Sequence, residues 1–327
     1  MNYIILGKTN YKISEISLGT WQVGGRWGEP FNNKNADDIL NTAIDKGINF
    51  IDTADVYSDG DSEKAVGRIV KSRKEKIYVA SKCGRKISPH VSAGYTEKAL
   101  RGFVEDSLKR TGLERLDLIQ LHCPPTEVYY RPEIFELFDK LKKEGKIANM
   151  GVSVEKVEEA LKAIEYPNVT TVQIIFNIFR QRPAELFFKE AKKKNIGIIV
   201  RVPLASGLLS GTYTKDRVFS KDDHRNFNRN GAAFDKGETF SGIDYNTGIE
   251  AVEEIKALFP GINMVSLSLK WIQTFEEVSC IIPGASKPAQ VISNLDAVKI
   301  NNLTKEQIQI INRVYDTKIK SMVHQLW

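Results

Sequence analysis

The sequence contains little cysteine and histidine and no long apolar run. Its 327 residues include three cysteines and four histidines, and Cys83, Cys123 and Cys280 show no metal-ligand spacing. This composition offers no disulfide framework and argues against a histidine-rich zinc site. The chain also lacks an apolar run of membrane-spanning length, and its first residues lack the basic start and apolar core of a signal peptide. We therefore expect a cytoplasmic protein with no metal and no membrane partner.

The sequence also has little excess charge of either sign. Its 47 basic and 41 acidic residues leave a net charge of +6, and the basic excess is dispersed along the chain. That balance is too small to indicate a nucleic-acid partner. The 42% hydrophobic and 27% charged residues are typical of a soluble globular protein, and a chain of this length can bury a large core.

Eight short apolar runs alternate with segments of helical periodicity. Asn35 is predicted to cap the first helix and Gly47 to end it. A repeat of about 30 residues fits an α/β fold of the (β/α)8 TIM-barrel class, as one barrel domain over residues 1–327. A doubly wound sheet is the alternative, but no Gly-x-Gly-x-x-Gly turn follows the first strand. The predicted strands are 16–20, 48–52, 77–82, 116–122, 147–152, 171–176, 197–202 and 278–282.

Two segments stand outside the strand and helix repeat. The apolar runs 3–6 and 11–13 flank Gly-Lys-Thr-Asn, which predicts an N-terminal hairpin. Strands seven and eight are separated by roughly 80 residues, far more than an ordinary loop, so a long loop and helical insertion is predicted there. Its polar part, residues 215–242, contains spaced phenylalanines. This part is either a lid over a ligand or a disordered crossing, and the aromatic residues favour docking.

Four chemically active side chains lie at or just beyond the ends of consecutive predicted strands. Asp52, Lys82 and His122 end strands two, three and four, and Tyr57 follows Asp52 by five residues. Each residue alone has an ordinary structural explanation as a turn cap, a solvated lysine or a core histidine. The carboxyl ends of barrel strands share one rim, so we expect the four side chains to converge.

Such a group suits the reduction of a carbonyl. A tyrosine has a pKa of about 10, and a nearby ammonium favours its phenolate and lowers that value. Asp52 would keep Lys82 charged and oriented, and His122 would hydrogen-bond a bound carbonyl oxygen. The phenol of Tyr57 could then protonate an alkoxide as it forms, which is what hydride reduction requires.

In these motifs the sequence resembles the aldo-keto reductase family over nearly its whole length. The resemblance rests on segment 50–57 with Ser62-Glu63, on Ala80-Ser81-Lys82 and on Leu121-His122. It implies an NADPH-dependent oxidoreductase that reduces a small-molecule aldehyde or ketone, with NADPH/NADP+ as cofactor and NADH as the alternative. It also implies that Tyr57 is the general acid, that Lys82 and Asp52 assist it, and that His122 binds the carbonyl.

The same resemblance implies where the cofactor binds. Segments 151–153 and 201–211 and Gln173 are similar to the positions around the nicotinamide and pyrophosphate, and segment 282–290 with Asn294 is similar to the adenosine-binding segment. Arg201 stands where many members have an aromatic residue, and both stacking on the nicotinamide and binding of an anionic substrate group remain open. Gln290 replaces an arginine of many members. The implied cofactor-binding residues are Gly19, Thr20, Trp21, Asp52, Ser153, Gln173, Arg201, Pro203, Leu204, Ser206, Leu208, Ser210, Gly284, Ser286, Lys287, Gln290 and Asn294.

Aromatic residues near the catalytic rim are candidates for the substrate pocket. Trp21 and Trp27 are predicted to form its wall together with Tyr57 and His122. Cys83 and Cys123 directly follow Lys82 and His122, so strand alternation predicts that they point away from the barrel axis.

Two other functions remain open from the residues. A lysine at a strand end is compatible with a barrel aldolase that forms a Schiff base on Lys82, although the Asp52 partner argues against it. The family also resembles regulatory subunits that bind NADP(H) as redox sensors, and no docking segment supports that function here. The identity of the carbonyl substrate, the direction of reaction and the oligomeric state are left open.

Overall fold

Eight parallel strands form the barrel in the computed structural model, which describes residues 1–25 and 29–327. Each strand pairs with the next one along the chain, so the predicted order is confirmed. The observed strands lie within about two residues of the predicted runs, apart from shorter first and second strands. They are β3 (Leu18–Gly19), β4 (Phe50–Asp52), β5 (Tyr78–Cys83), β6 (Leu116–His122), β7 (Ile147–Ser153), β8 (Val169–Ile175), β9 (Gly197–Arg201) and β10 (Val278–Ile281).

Backbone hydrogen bonds between the first and last strand segments close the barrel. The Ser17 amide donates to the Ile281 carbonyl at 2.8 Å, and the Gly19 amide donates to the Pro283 carbonyl at 3.2 Å. Parallel register then fixes the height of the polar residues at the rim. Asp52 on β4 is the register partner of Gly19 on β3 and Ala80 on β5. On the following strands, Lys82 pairs with Gln120 and His122 pairs with Ser153. The strand ends therefore bring distant parts of the sequence to one face.

Helices cover the outside of the barrel. Their apolar stripes pack on the outer faces of the strands and form the main core. In the described residues, none of these helices has the length and apolarity that crossing a membrane requires. The helices are α1 (Asn33–Asp45), α2 (Asp61–Ser72), α3 (Glu97–Thr111), α4 (Pro132–Lys143), α5 (Val157–Ala163), α6 (Phe187–Lys193), α7 (His224–Phe227), α8 (Tyr245–Leu258), α9 (Met264–Gln273), α10 (Pro288–Leu295), α11 (Lys305–Val314) and α12 (Lys320–Val323).

The start of α1 differs from the sequence expectation. Asn32, not Asn35, is the N-cap, and its side chain accepts a hydrogen bond from the Asn35 amide at 2.9 Å. The Asn35 side chain instead donates to the carbonyls of Val23 and Ser286, at 3.2 and 3.0 Å. Two asparagines three residues apart are equally good caps by type. The tertiary contacts of Asn35 decide between them.

The predicted N-terminal hairpin is present and closes the lower end of the barrel. Its strands, β1 (Tyr3–Ile5) and β2 (Lys12–Ser14), are antiparallel. The fully buried Leu6 and Ile13 join the lower interior residues Phe50 and Leu118, and each such burial contributes about 1.5–3 kcal/mol. Gly7 has φ +47° and lies so close to β9 that a Cβ atom would be 2.1 Å from the Gly197 nitrogen. Glycine is required there by both conformation and space.

The insertion between β9 and β10 packs on the barrel. Within it, Phe219 and Phe240 are buried, with ring centroids 5.8 Å apart. The Trp327 indole donates to the Asp235 carboxylate at 2.8 Å, and the Arg180 guanidinium lies 4.0 Å from the Trp327 ring centroid. These contacts support docking of the phenylalanine-containing segment and disfavour a disordered crossing.

Candidate active site

A cavity of about 1020 Å³ opens at the carboxyl ends of the barrel strands. Asp52, Tyr57 and His122 border its inner end. Most residues predicted to hold the cofactor also border it, whereas Ser153 and Leu208 do not and are buried beside it. The predicted cofactor residues at its wall are Gly19, Thr20, Trp21, Asp52, Gln173, Arg201, Pro203, Leu204, Ser206, Ser210, Gly284, Ser286, Lys287, Gln290 and Asn294.

Lys82 is fully buried beneath Tyr57, and each of its N–H groups has an acceptor. The ammonium donates to Asp52 Oδ1, to the Thr53 carbonyl at 2.8 Å and to the Tyr57 hydroxyl at 3.1 Å. Burial alone would lower the pKa of Lys82, but the charge of Asp52 and the hydrogen bonds to Asp52 and to the Tyr57 hydroxyl outweigh burial, and the pKa is raised. Lys82 therefore remains a cation that is held in one orientation.

Asp52 is the partner that makes this buried cation tolerable. Its Oδ2 accepts hydrogen bonds from the side-chain amides of Gln120 at 3.1 Å and Gln173 at 2.8 Å. Oδ1 is occupied by Lys82. A buried carboxylate is costly unless it is paired and hydrogen-bonded, and Asp52 satisfies both conditions. The predicted pairing of Asp52 with Lys82 is present.

Tyr57 begins the turn that follows β4. Residues 58–60 of this turn have positive φ, with Gly60 at +92°. The Tyr57 ring meets His122 edge-on, with centroids 6.0 Å apart. Burial raises the pKa of Tyr57, and Lys82 opposes this shift only in part. Lys82 acts on the pKa in the expected direction, but burial, whose extent the sequence does not reveal, outweighs it. The phenol remains protonated at neutral pH.

His122 is an uncharged imidazole at the cavity wall. Burial lowers its pKa well below the ordinary value, and the cations Arg85 and Lys82 lower it further. Its Nδ1 is buried and has no hydrogen-bond partner among the described residues. A neutral histidine beside the phenol can donate one hydrogen bond to a ligand oxygen without adding charge.

A second buried ionic group lies at the end of β9. The Arg201 guanidinium donates to Glu155 at 2.9 Å and to the Val154 carbonyl at 3.0 Å, and it lies 3.5 Å from Glu238. Glu238 also accepts a hydrogen bond from Arg85 at 2.9 Å. Of the two roles left open for Arg201, stacking on the nicotinamide is compatible with its place at the cavity wall. The Arg201 guanidinium, however, already contacts Glu155, the Val154 carbonyl and Glu238.

The N-terminus of α10 borders the outer end of the cavity. The Ser286 amide and hydroxyl both donate to the Gln290 side-chain carbonyl, at 2.6 and 3.1 Å. Lys287 lies beside them at the same wall. The continuous cavity has the volume of a cofactor site, with buried polar atoms at the inner end and a cation at the outer end. A nicotinamide dinucleotide fits this distribution.

Comparison with known protein families identifies one whose model matches most of the chain. The model of the Aldo/keto reductase family matches residues 15–316. The chain belongs to that family. The predicted resemblance and enzyme class, an NAD(P)H-dependent aldo-keto reductase, are thereby confirmed. The predicted nicotinamide cofactor is consistent with the same comparisons.

Three relatives show the extent of the similarity. An uncharacterized oxidoreductase of Bacillus subtilis, YqkF, is 29% identical and covers 94% of each chain. The NADH-specific methylglyoxal reductase of Escherichia coli is 28% identical and covers 92% of this chain and 94% of its own. The solved structure of the glycerol dehydrogenase AKR11B4 from Gluconobacter oxydans has a TM-score of 0.76 at 28% identity and covers 99% of this chain and 96% of its own.

Several wall residues of this aldo-keto reductase were not predicted. Trp21 lies 6.4 Å from Tyr57 and 4.8 Å from His224 between ring centroids, and 6.3 Å from Phe234. His224 and Phe234 come from the insertion, whose phenylalanines were the available signal. Arg85, three residues beyond Lys82, also borders the cavity. Trp27, predicted for the same wall, lies outside the described residues.

Cys123 departs from the orientation predicted by strand alternation. It lies just beyond the end of β6 with φ +45°, so the alternation no longer applies. Its sulfur accepts a hydrogen bond from Arg201 at 3.4 Å. Cys123, Glu155 and Glu238 form a cluster with metal-ligand potential. The Arg201 guanidinium already supplies the cation for this cluster.

Proposed function

We propose that the protein reduces aldehydes or ketones to alcohols by NADPH-dependent hydride transfer, with Tyr57 as the general acid. The observation that supports this most directly is the chain of contacts from Asp52 through Lys82 to the Tyr57 hydroxyl at 3.1 Å, at the inner end of the cavity. We further propose that residues 1–327 act as one barrel domain. The buried, unpaired cysteines suit a cytoplasmic protein.

The proposed mechanism assigns one step to each polar group. A reduced nicotinamide, when bound, supplies the hydride. His122, which is neutral, donates a hydrogen bond to the substrate oxygen and directs it toward Tyr57. Tyr57 then transfers its hydroxyl proton to the oxygen as negative charge develops there. Lys82 stabilises the phenolate that remains, and Asp52 holds the ammonium in place throughout.

For the cofactor, NADPH is the proposed form and NADH the alternative. Lys287 and Ser286 lie at the outer end of the cavity, where a ribose phosphate would be bound by charge and hydrogen bonds. Gln290 already occupies both donors of Ser286, which reduces the advantage of a phosphate. The E. coli relative is named as NADH-specific. The residues predicted to hold the nicotinamide and pyrophosphate keep those roles in this proposal.

The geometry disfavours a Schiff-base aldolase. Such chemistry needs a neutral, nucleophilic lysine. Lys82 has a raised pKa and its ammonium hydrogens are all engaged. A regulatory redox sensor needs cofactor binding but not a proton donor beside the substrate space. Tight NADPH binding without turnover of any carbonyl would favour that alternative.

Steady-state kinetics of wild type and Tyr57→Phe test the proposal. Wild type should consume NADPH in the presence of aldehydes, and Tyr57→Phe should lower kcat by about 10²- to 10⁴-fold because the general acid is lost. NADPH binding, followed by tryptophan fluorescence, should change little. Tyr3→Phe is the matched control, since Tyr3 donates to Gly47 at the hairpin, far from the rim. Absence of turnover in wild type, or full turnover in Tyr57→Phe, would refute the proposal.

A further inference from the structure

Arg85 is a charged residue at the cavity wall that the proposed mechanism leaves without a role. It follows β5 through Gly84, which has φ +101°. A Cβ atom on Gly84 would lie 2.8 Å from the Tyr95 ring, so both space and conformation require glycine. This turn places Arg85 beside the cavity that Tyr57 and His122 also border. Its side chain is 20% exposed.

A continuous aromatic wall connects Arg85 to the proposed proton donor. The Arg85 guanidinium lies 5.6 Å from the Phe234 ring centroid. Phe234 lies 6.3 Å from Trp21, and Trp21 lies 6.4 Å from Tyr57. Among charged neighbours, Arg85 lowers the pKa of His122 the most. Arg85 and the reacting groups therefore face one substrate space.

The guanidinium of Arg85 has unused hydrogen-bonding capacity. Among the described residues, its one hydrogen bond is from Nη2 to Glu238 at 2.9 Å. An arginine carries five N–H donors in a fixed fork that matches a carboxylate or a phosphate. The remaining donors of Arg85 have no acceptor among the described residues. Arg201 differs because its guanidinium already contacts Glu155, Cys123 and the Val154 carbonyl.

The local charge balance also leaves room for an anion. Glu238 faces two guanidinium groups, at 2.9 Å from Arg85 and 3.5 Å from Arg201. Burial raises the pKa of Glu155 to about 8 against the opposing charge of Arg201, and Glu238 adds to the increase. At neutral pH Glu155 is therefore mostly protonated and shares its proton with Glu238. Two cations then share one carboxylate. A ligand oxyanion at Arg85 would complete the balance.

We propose that Arg85 forms an oxyanion subsite and that the preferred substrates are small carbonyl compounds that carry a carboxylate or a phosphate. This inference rests on the proposed carbonyl reduction and names the substrate class for it. Arg85 binds the anionic end of the substrate. The carbonyl end then lies along the aromatic wall at Tyr57 and His122.

Matched substrate pairs test the proposal on the wild-type enzyme without any variant. Succinate semialdehyde and its methyl ester differ by one carboxylate charge, and glycolaldehyde phosphate and glycolaldehyde differ by the phosphate. We expect kcat/KM to be at least about 10-fold higher for the charged member, with most of the difference in KM. A preference in only one pair shows whether the subsite binds a carboxylate or a phosphate. Equal values in both pairs would refute the subsite.

Arg85→Gln tests whether this residue is responsible. For the anionic substrates we expect KM to rise by about 10- to 100-fold, the effect of a lost charged hydrogen bond, and neutral substrates to change by less than about threefold. Arg85→Lys should recover part of the loss. Arg101→Gln is the control, since Arg101 pairs with Glu144 on the outer surface.

The outcomes separate this inference from the proposed function. Turnover of neutral aldehydes without preference for anions overturns the subsite and leaves carbonyl reduction standing. No turnover of any carbonyl overturns both. Equal losses for charged and neutral substrates in a folded, cofactor-binding Arg85→Gln also overturn the role of Arg85. If that variant does not fold, the wild-type pairs still decide.

Discussion

The rim of the barrel holds two buried ionic groups that differ in how completely their polar atoms are satisfied. In the Asp52–Lys82 group, both carboxylate oxygens and the ammonium have hydrogen-bond partners. In the Arg201 group, Arg201 Nε is buried without a hydrogen-bond partner among the described residues. The complete group fixes the position of the proposed acid. The incomplete group holds an unsatisfied buried donor and a carboxyl, Glu155, whose pKa is raised.

The largest expected effect comes from breaking the complete group. Lys82→Met removes the cation and leaves Asp52 as a buried, unpaired carboxylate. We expect the free energy of unfolding at neutral pH to fall by about 3–5 kcal/mol, as for other broken buried pairs, measured by urea denaturation. Lys64→Met, which breaks only an exposed pair with Asp61, is the control. If Lys82→Met were as stable as wild type, the pair would not have the assigned role.

The next effect concerns the protonated carboxyl of the incomplete group. The pKa of Glu155 is about 8 in the folded protein against an ordinary 4.5. The folded state therefore binds more protons between these values, and stability falls as the pH rises through this range. We expect the slope of Tm against pH to be flatter in Glu155→Gln. Glu144→Gln serves as the control because its low pKa keeps it ionised across that range. An unchanged slope in Glu155→Gln would contradict the shift.

Asp55 lies outside both groups and offers a smaller test of how an unpartnered buried carboxyl affects stability. Both of its carboxylate oxygens are buried without a partner among the described residues. Burial, with Glu63 adding to it, raises the pKa of Asp55 to about 7 against an ordinary 3.8. The wild-type carboxyl thus lowers stability as the pH rises between these values. The Tm of Asp55→Asn relative to wild type should therefore rise as the pH increases from about 4 to about 7, and it should level off above that range. A Tm difference between the variant and wild type that does not vary with pH would contradict the raised pKa of Asp55.

The smallest expected effect lies at the outer end of the cavity, where donors are already satisfied. Gln290→Ala frees the amide and hydroxyl of Ser286 for a ribose phosphate. Each new hydrogen bond is worth about 0.5–1.5 kcal/mol, so the ratio of kcat/KM for NADPH over NADH should rise by about 2- to 10-fold. Initial rates with both cofactors measure it. A ratio that falls would show that Gln290 itself favours NADPH.

The sequence predicted the barrel and the strand-end residues because both depend on local patterns. Apolar runs of strand length alternate with helical stripes, and parallel strands necessarily end on one face. Asp52, Lys82 and His122 are each the last or nearly the last residue of a strand, so their convergence followed from topology alone.

The second ionic group could not be predicted because it depends on tertiary packing of the insertion. Glu238 comes from a segment with no strand or long-helix pattern, and its contacts with Arg85 and Arg201 span many residues. The raised pKa of Tyr57 could not be predicted for a related reason. The neighbouring cation is visible in the sequence, whereas the degree of burial that outweighs it is not.

The two glutamine amides behind Asp52 have a consequence for how protons are replaced between turnovers. Gln120 and Gln173 are the groups that Asp52 contacts on the side away from Lys82, and an amide does not titrate near neutral pH. The hairpin seals the barrel interior below them. In the proposed mechanism, the proton that Tyr57 gives away therefore returns from water at the cavity mouth, so each catalytic cycle needs access to bulk solvent.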